Sequence, residues 1–304
     1  MAATSRGDLQ LIQRSVLRGA AAVLRALDEL LAKGIEPERV ARATLLLVKA
    51  GVLPSQATLL SVSECCLGAQ QADGGWTSVP ESAWCAGWLR AVGGHEAPLE
   101  AALAWIRSQR NAAGGWGRTA RDTARLPVTG VLLWCHPELA DPVALDWLLK
   151  AWGEEAAGRP VLSYKAAAVC LALSSISSTH PHRSPGQARP SACGALAQEV
   201  NPDGGWGPWR SHPEGSTPLW TAMALAGLAS SPGASLAVLP PAAEWLVARQ
   251  MPEGLWPAHF LEEAAAWAVF ALSQHLLACA AGPCRDEAGR EHALGPDKPD
   301  RCGA

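Results

Sequence analysis

Two adjacent carboxylates, Glu262 and Glu263, stand just before Trp267, and Glu81 stands three residues before Trp84. Neighbouring carboxylates disfavour each other's ionisation, so such a pair suits proton donation. An indole face attracts a cation through its ring quadrupole. Acid and aromatic residues at this spacing share one helix face, because positions three and four apart are neighbours there. Asp122-Thr123, Tyr164, Trp220 and the Ala258-His259 pair complete the candidate set. Asp122, Glu262, Glu263 and Glu81 are the candidate acids, and Trp84, Trp220, Trp267, Tyr164, Thr123 and His259 the candidate substrate contacts.

Composition narrows the alternatives. Fourteen Trp stand against two Phe and one Tyr, so Trp supplies nearly all the aromatic surface. The formal charge of −3 gives no footprint for nucleic acid. No apolar run is read as long enough to span a membrane, and the start of the chain lacks a signal-like stretch, so a cytoplasmic address is expected by default. Nine Cys include no Cys-x-x-Cys, and no His stands at zinc-like spacing from Cys279 or Cys284. Cys85, Cys135 and Cys170 read as small apolar core residues. Neither a metal nor a cofactor is expected.

The elements that position these residues announce themselves as a repeat. The phrase around Gly74-Gly75-Trp76 returns at Gly114-Gly115-Trp116 and Gly204-Gly205-Trp206, with a weaker copy at Gly254-Leu255-Trp256. Each follows a Gln: Gln70 and Gln71, Gln109, Gln198 and Gln250. The Trp spacings are 40, 90 and 50 residues, and the middle one holds a degenerate unit that keeps only Trp152-Gly153. A fixed phrase at a near-fixed interval marks a repeat architecture.

Before each phrase lies an amphipathic run, and after it an Ala- and Leu-rich run that is apolar nearly all round. The first pattern is a half-exposed helix and the second a buried one. Gly ends the outer helix without steric cost, Asp73 and Asp203 favour the turn, and the Trp folds back between outer helices. Six outer/inner pairs result: 9–33 with 37–50, 58–71 with 82–92, 98–109 with 123–134, 142–152 with 163–174, 191–198 with 218–229, and 240–250 with 262–277. The fold class is all-α, a single α/α toroid over residues 1–282, with 283–304 as a disordered tail. Six pairs can close into a ring and so remove the ends that open solenoids must cap. Residues 174–190, rich in Ser, Pro and His, read as a flap or a disordered link.

The starts of the inner helices then surround one mouth of the ring. They carry Glu38, Glu81, Asp122, Tyr164 with Lys165, Ser216 with Thr217, and Glu262 with Glu263. Carboxylates gain from the partial positive charge of helix N-termini, and the same residue types are ordinary N-caps. Trp84, Trp220 and Trp267 lie near helix starts and face the central cavity or plug it.

These phrases resemble the QW motif of squalene-hopene cyclases, oxidosqualene cyclases and the helical domains of class II terpene cyclases. Related repeats occur in protein prenyltransferase β subunits. The resemblance covers roughly residues 60–280 and implies the α/α toroid. It further implies acid-initiated cyclisation or isomerisation of an isoprenoid, with aromatic faces holding the carbocation. Class II cyclases protonate with the central Asp of Asp-x-Asp-Asp-Thr-Ala. Here Thr119-Ala120-Arg121-Asp122-Thr123-Ala124 keeps only the last Asp, the Thr and the Ala, and Arg121 stands where the acid would be. The zinc ligands of prenyltransferases are missing at Glu81-Ser82 and Glu262-Glu263, so protein prenylation is not expected.

Two functions follow as expectations. One is a terpenoid-cyclase-like enzyme acting on a small apolar, isoprenoid substrate in the central cavity. The other is a non-catalytic toroid: a lipid- or protein-binding scaffold, or a subunit of a larger cyclase. A peripheral membrane contact and a partner subunit that completes the site stay open in both.

Overall fold

The computed structural model describes residues 6–34, 36–158, 160–179, 188–231 and 236–281. The expected tail at 283–304 lies outside them, as do residues 180–187 of the Ser-, Pro- and His-rich segment, with His180 and His182. Among the described residues the regular structure is entirely helical. The outer helices are α1 (Arg6–Ala32), α3 (Gln56–Ala69), α5 (Glu96–Ser108), α7 (Pro142–Ala157), α9 (Ala188–Gln198) and α11 (Leu239–Ala248). The inner helices are α2 (Pro37–Lys49), α4 (Val79–Val92), α6 (Leu126–Cys135), α8 (Ser163–Thr179), α10 (Pro218–Ala229) and α12 (Leu261–Ala281).

The inner helices form a closed ring. Each packs on the next in chain order, and α12 returns to α2. Outside the ring, α1 packs against α12, α11 and α3, which seals the seam between the first and last pairs. Burial follows the apolar pattern. In α5 only Ala102 and Ile106 are buried, whereas α10 buries every residue from Thr221 to Leu228. Small residues let inner helices approach closely: a Cβ on Gly130 would stand 2.9 Å from the Ala168 carbonyl, and one on Gly227 3.2 Å from the Ala167 backbone. Helix α12 is long and apolar enough to cross a membrane, contrary to the sequence reading, and most of it is buried as an inner helix of the ring.

The Gly-Trp phrases hold outer helices to inner ones by one recurring set of bonds. Each Trp indole N–H donates to a carbonyl ten residues earlier: Trp76 to Cys66, Trp116 to Ile106, Trp206 to Leu196 and Trp256 to Leu246, at 2.7–2.9 Å. The backbone N–H of the Trp is taken by a hydroxyl on the following inner helix: Ser82, Thr129 and Thr221 in the first three copies. The glycine at the turn has positive φ in all four, from 88° to 107°. Asp73 accepts from the indole of Trp105 on the next outer helix, and Asp203 does the same for Trp245.

The Gln residues divide. Gln70 donates to the Gly74 and Pro98 carbonyls, and Gln250 to the Gly254 and Ser15 carbonyls. Both tie the turn to the next outer helix. Gln109 does not: the equivalent place is held by Arg110, which reaches Asp141 at 2.5 Å, while Gln109 accepts from Ala120 N. At 174–190, expected as a flap or disordered link, the chain is helical to Thr179 and again from Ala188, and residues 180–187 lie outside the described set.

Candidate functional site

Three inner helices, α2, α4 and α12, bring the acids together where they begin. Arg39 reaches Glu262 Oε1 through Nε at 2.8 Å and Nη2 at 2.6 Å. One turn on, Arg42 spans two carboxylates, Glu38 at 2.9 Å and Glu263 at 3.3 Å. The Arg42 guanidinium also lies 5.9 Å from the ring centroid of Trp84, and Arg39 lies 4.4 Å over Phe260. Both arginines escaped the sequence reading. Glu38 and Arg42 are four apart, a visible helix pair; the partners on α12 are more than 200 residues away and leave no local mark.

Burial raises the pKa of Glu263, and the nearby Glu38 and Glu262 push the same way, while Arg42 opposes them. Burial also raises Glu81, against hydrogen bonding at Thr77, with Glu38 and Glu36 adding to the rise. Glu81 has a local task as well. Ser78 Oγ accepts from Glu81 N at 3.3 Å, and Glu81 Oε2 accepts from Thr77 N at 3.1 Å. This is a close variant of the reciprocal capping box that starts a helix. The structure thus gives Glu81 the helix-capping task that its residue type and position allow.

Below the acids the ring axis is filled. Trp84, Trp134 and Trp267 meet at centroid distances of 5.6–6.2 Å, with Phe270 beside Trp134 and Trp267. All four side chains are buried. Helices α6 and α12 are three places apart in a ring of six, so the Trp134–Trp267 stack crosses the axis. Lys49, at the end of α2, places its ammonium 4.7 Å from the Trp134 centroid. Of the two expectations for the inner Trp residues, Trp84 and Trp267 follow the plug, with Trp134 added to it; a ring this narrow buries its large residues at the centre.

The remaining candidates lie elsewhere on the rim. Asp122 sits in the turn before α6, which begins three residues later than expected, at Leu126. Its Oδ2 accepts from Arg118 N at 3.1 Å, so its carboxylate closes a turn at the chain surface. Tyr164 and Trp220 pair across α8 and α10 at 5.2 Å, and neither is among the contacts of the Arg39 and Arg42 cluster. His259 is exposed and edge-on to Phe260. Thr123 and Tyr164 share a cleft of about 970 Å³ with Arg125, Leu126, Trp147 and Lys165, between α7 and the starts of α6 and α8. A second cleft, of about 260 Å³, lies beside Glu262 between α1 and the start of α12. Among the described residues no group of three or more His, Cys, Asp or Glu gathers to hold a metal.

No protein-family model matches the chain, and no curated protein matches it. Solved structures do. A variant of the type II terpene cyclase MstE from Scytonema, in complex with its substrate geranylgeranyl dihydroxybenzoate, superposes with a TM-score of 0.71 at 15% identity, over 90% of this chain and 100% of that one. ent-Copalyl diphosphate synthase from Streptomyces platensis gives 0.57 at 16%, over 81% of this chain and 50% of that one. An inactive α-1,6-mannanase variant from Salegentibacter gives 0.56 at 10%, over 84% and 98%. A sugar hydrolase on the same scaffold illustrates that this fold does not dictate one chemistry. The chain has the terpenoid-cyclase-like α/α toroid fold.

Proposed function

We propose that the protein is a terpenoid-cyclase-like enzyme for a small isoprenoid or prenylated aromatic substrate, bound at the mouth formed by α2, α4 and α12. Glu263 carries this reading. Its carboxyl is half-buried and biased towards the protonated form, four residues from Trp267 on one helix and bridged by Arg42 to the face of Trp84. Protonation of an alkene needs a carboxyl whose surroundings favour its neutral form and a surface that tolerates the resulting cation. Glu263 supplies the proton, Trp84 and Trp267 face the cation, and Glu81 is the neighbouring acid. Asp122, tied to its own turn, holds that turn and takes no part in the chemistry. The substrate of MstE, an isoprenoid chain on an aromatic acid, supports the choice of class.

A specific observation favours a second reading. The indole stack across the axis leaves no room behind the mouth for a long substrate. On that reading the toroid is a non-catalytic scaffold or a subunit of a larger cyclase.

Purified protein is incubated with prenyl diphosphates, squalene and prenylated dihydroxybenzoates and analysed by mass spectrometry, beside Glu263→Gln, Glu81→Gln and Asp122→Asn. A cyclised or isomerised product that disappears in Glu263→Gln and persists in Asp122→Asn supports the enzyme. Folded protein that turns over none of these substrates supports the scaffold.

A further inference from the structure

Away from the mouth, two thiols face each other between the inner and outer layers. Cys170 Sγ on α8 and Cys193 Sγ on α9 are 3.5 Å apart. We propose that this pair is a redox-active dithiol, oxidised by a hydroperoxide to a disulfide that fastens inner helix α8 to outer helix α9.

Geometry and access set the order of events. Cys193 is 6% exposed and Cys170 is fully buried, so a small oxidant meets Cys193 first. The hydrogen bond from Cys170 draws the Cys193 thiol down to about 7, with burial opposing and Ser231 and the Arg189 charge assisting. The same bond, with burial, holds Cys170 well above the ordinary thiol range. The pair therefore keeps its last proton on Cys170 and its thiolate on Cys193. The thiolate is the nucleophilic form.

The chemistry balances. Cys193 thiolate attacks a peroxide oxygen and the O–O bond breaks. Cys193 becomes a sulfenic acid, and hydroxide leaves to take up a proton as water. Cys170 sulfur then attacks Cys193 sulfur, the S–O bond breaks, and the Cys170 proton departs with the second water. Two thiols lose two electrons, and one hydrogen peroxide accepts them. The sulfurs need to approach by roughly 1.5 Å to reach disulfide bonding distance.

The rest of the chain supplies its own comparison. Cys66 and Cys85 are both fully buried, and burial raises Cys85 well above the ordinary range. Burial pushes Cys135 up to about 12. Cys85 and Cys135 thus have raised thiols, and Cys66 has no exposed surface, so none of the three matches Cys193.

Full-length protein is treated with hydrogen peroxide at low molar excess, digested without reduction and analysed by mass spectrometry. The expected result is a peptide pair joined through Cys170 and Cys193, two hydrogens lighter than the separate peptides and released by dithiothreitol. In Cys170→Ser, Cys193 stops at the sulfenic acid and is captured by dimedone. The proposal is overturned if the wild-type digest lacks the joined pair, or if Cys66, Cys85 or Cys135 is oxidised first. The wild-type digest decides the matter even where the variant does not fold.

Discussion

Trp134 and Trp267 stack at 5.6 Å with their planes 25° apart, although their helices stand on opposite sides of the ring. The contact makes the centre of the toroid solid. Replacing Trp134 by Ala should cost about 3–5 kcal/mol, as for other large core residues, and leave an apolar void on the axis. Urea denaturation measures the loss. A small apolar probe such as benzene should stabilise Trp134→Ala and leave the wild type unchanged. Equal behaviour of the two proteins with benzene would mean that the ring collapses around the void.

The raised pKa of Glu81 makes stability depend on pH. Folding favours its neutral form, so this contribution is fully present below the unfolded value of about 4.3 and is lost as pH rises through the folded value. Gln in its place cannot ionise and keeps an acceptor for Thr77 N. Melting temperatures of the wild type and Glu81→Gln, compared from about pH 4 to about pH 8, should diverge in favour of Glu81→Gln as pH rises. A constant difference would count against burial as the cause.

Gly74 and Gly94 separate backbone strain from crowding. Both have positive φ, 92° and 75°. A Cβ on Gly94 meets nothing within 4 Å, whereas one on Gly74 falls 2.6 Å from the Ala101 carbonyl oxygen. Gly94→Ala should cost about 1–2 kcal/mol for the left-handed conformation alone. Gly74→Ala should cost a further ~1–3 kcal/mol, because α5 has to move away. Chemical denaturation of the two variants tests the ordering.

The hydroxyl under each Trp turn should matter more than its size suggests. Thr129 Oγ1 accepts from Trp116 N at 2.9 Å, and Thr221 Oγ1 accepts from Trp206 N at 2.9 Å. Thr→Val at either site keeps the shape and strands a buried N–H, at about 1–3 kcal/mol each. The sites belong to different pairs, so the double variant should show additive losses.

Much of this fold was legible because its signals are local and repeated. Thr217 and Pro218 mark the start of α10, and the sequence reading of that helix, 218–229, matches the structure. Helix α6 was placed three residues early, and Pro127 was the overlooked marker, since Pro favours the first helical turn. Pro80 gives the same sign for α4, which begins at Val79 and not at 82. The candidate site was legible only as a set of residue types. That Glu262 and Glu263 would meet Arg39 and Arg42 depends on ring closure across more than 200 residues. That Trp134 would cross to Trp267 depends on the diameter of the ring. Neither quantity is written in a window of sequence.

Closure of the ring through Gln250 and Ser15, 235 residues apart, also sets a timetable. Pairs in an open array gain their neighbours as the chain emerges. Here the first outer helix receives its last partner only when α11 and α12 exist. Until then one flank of α1 and the inner face of α2 stay wet. Contacts of such long sequence separation form slowly, so the seam between first and last pairs is the step expected to limit folding.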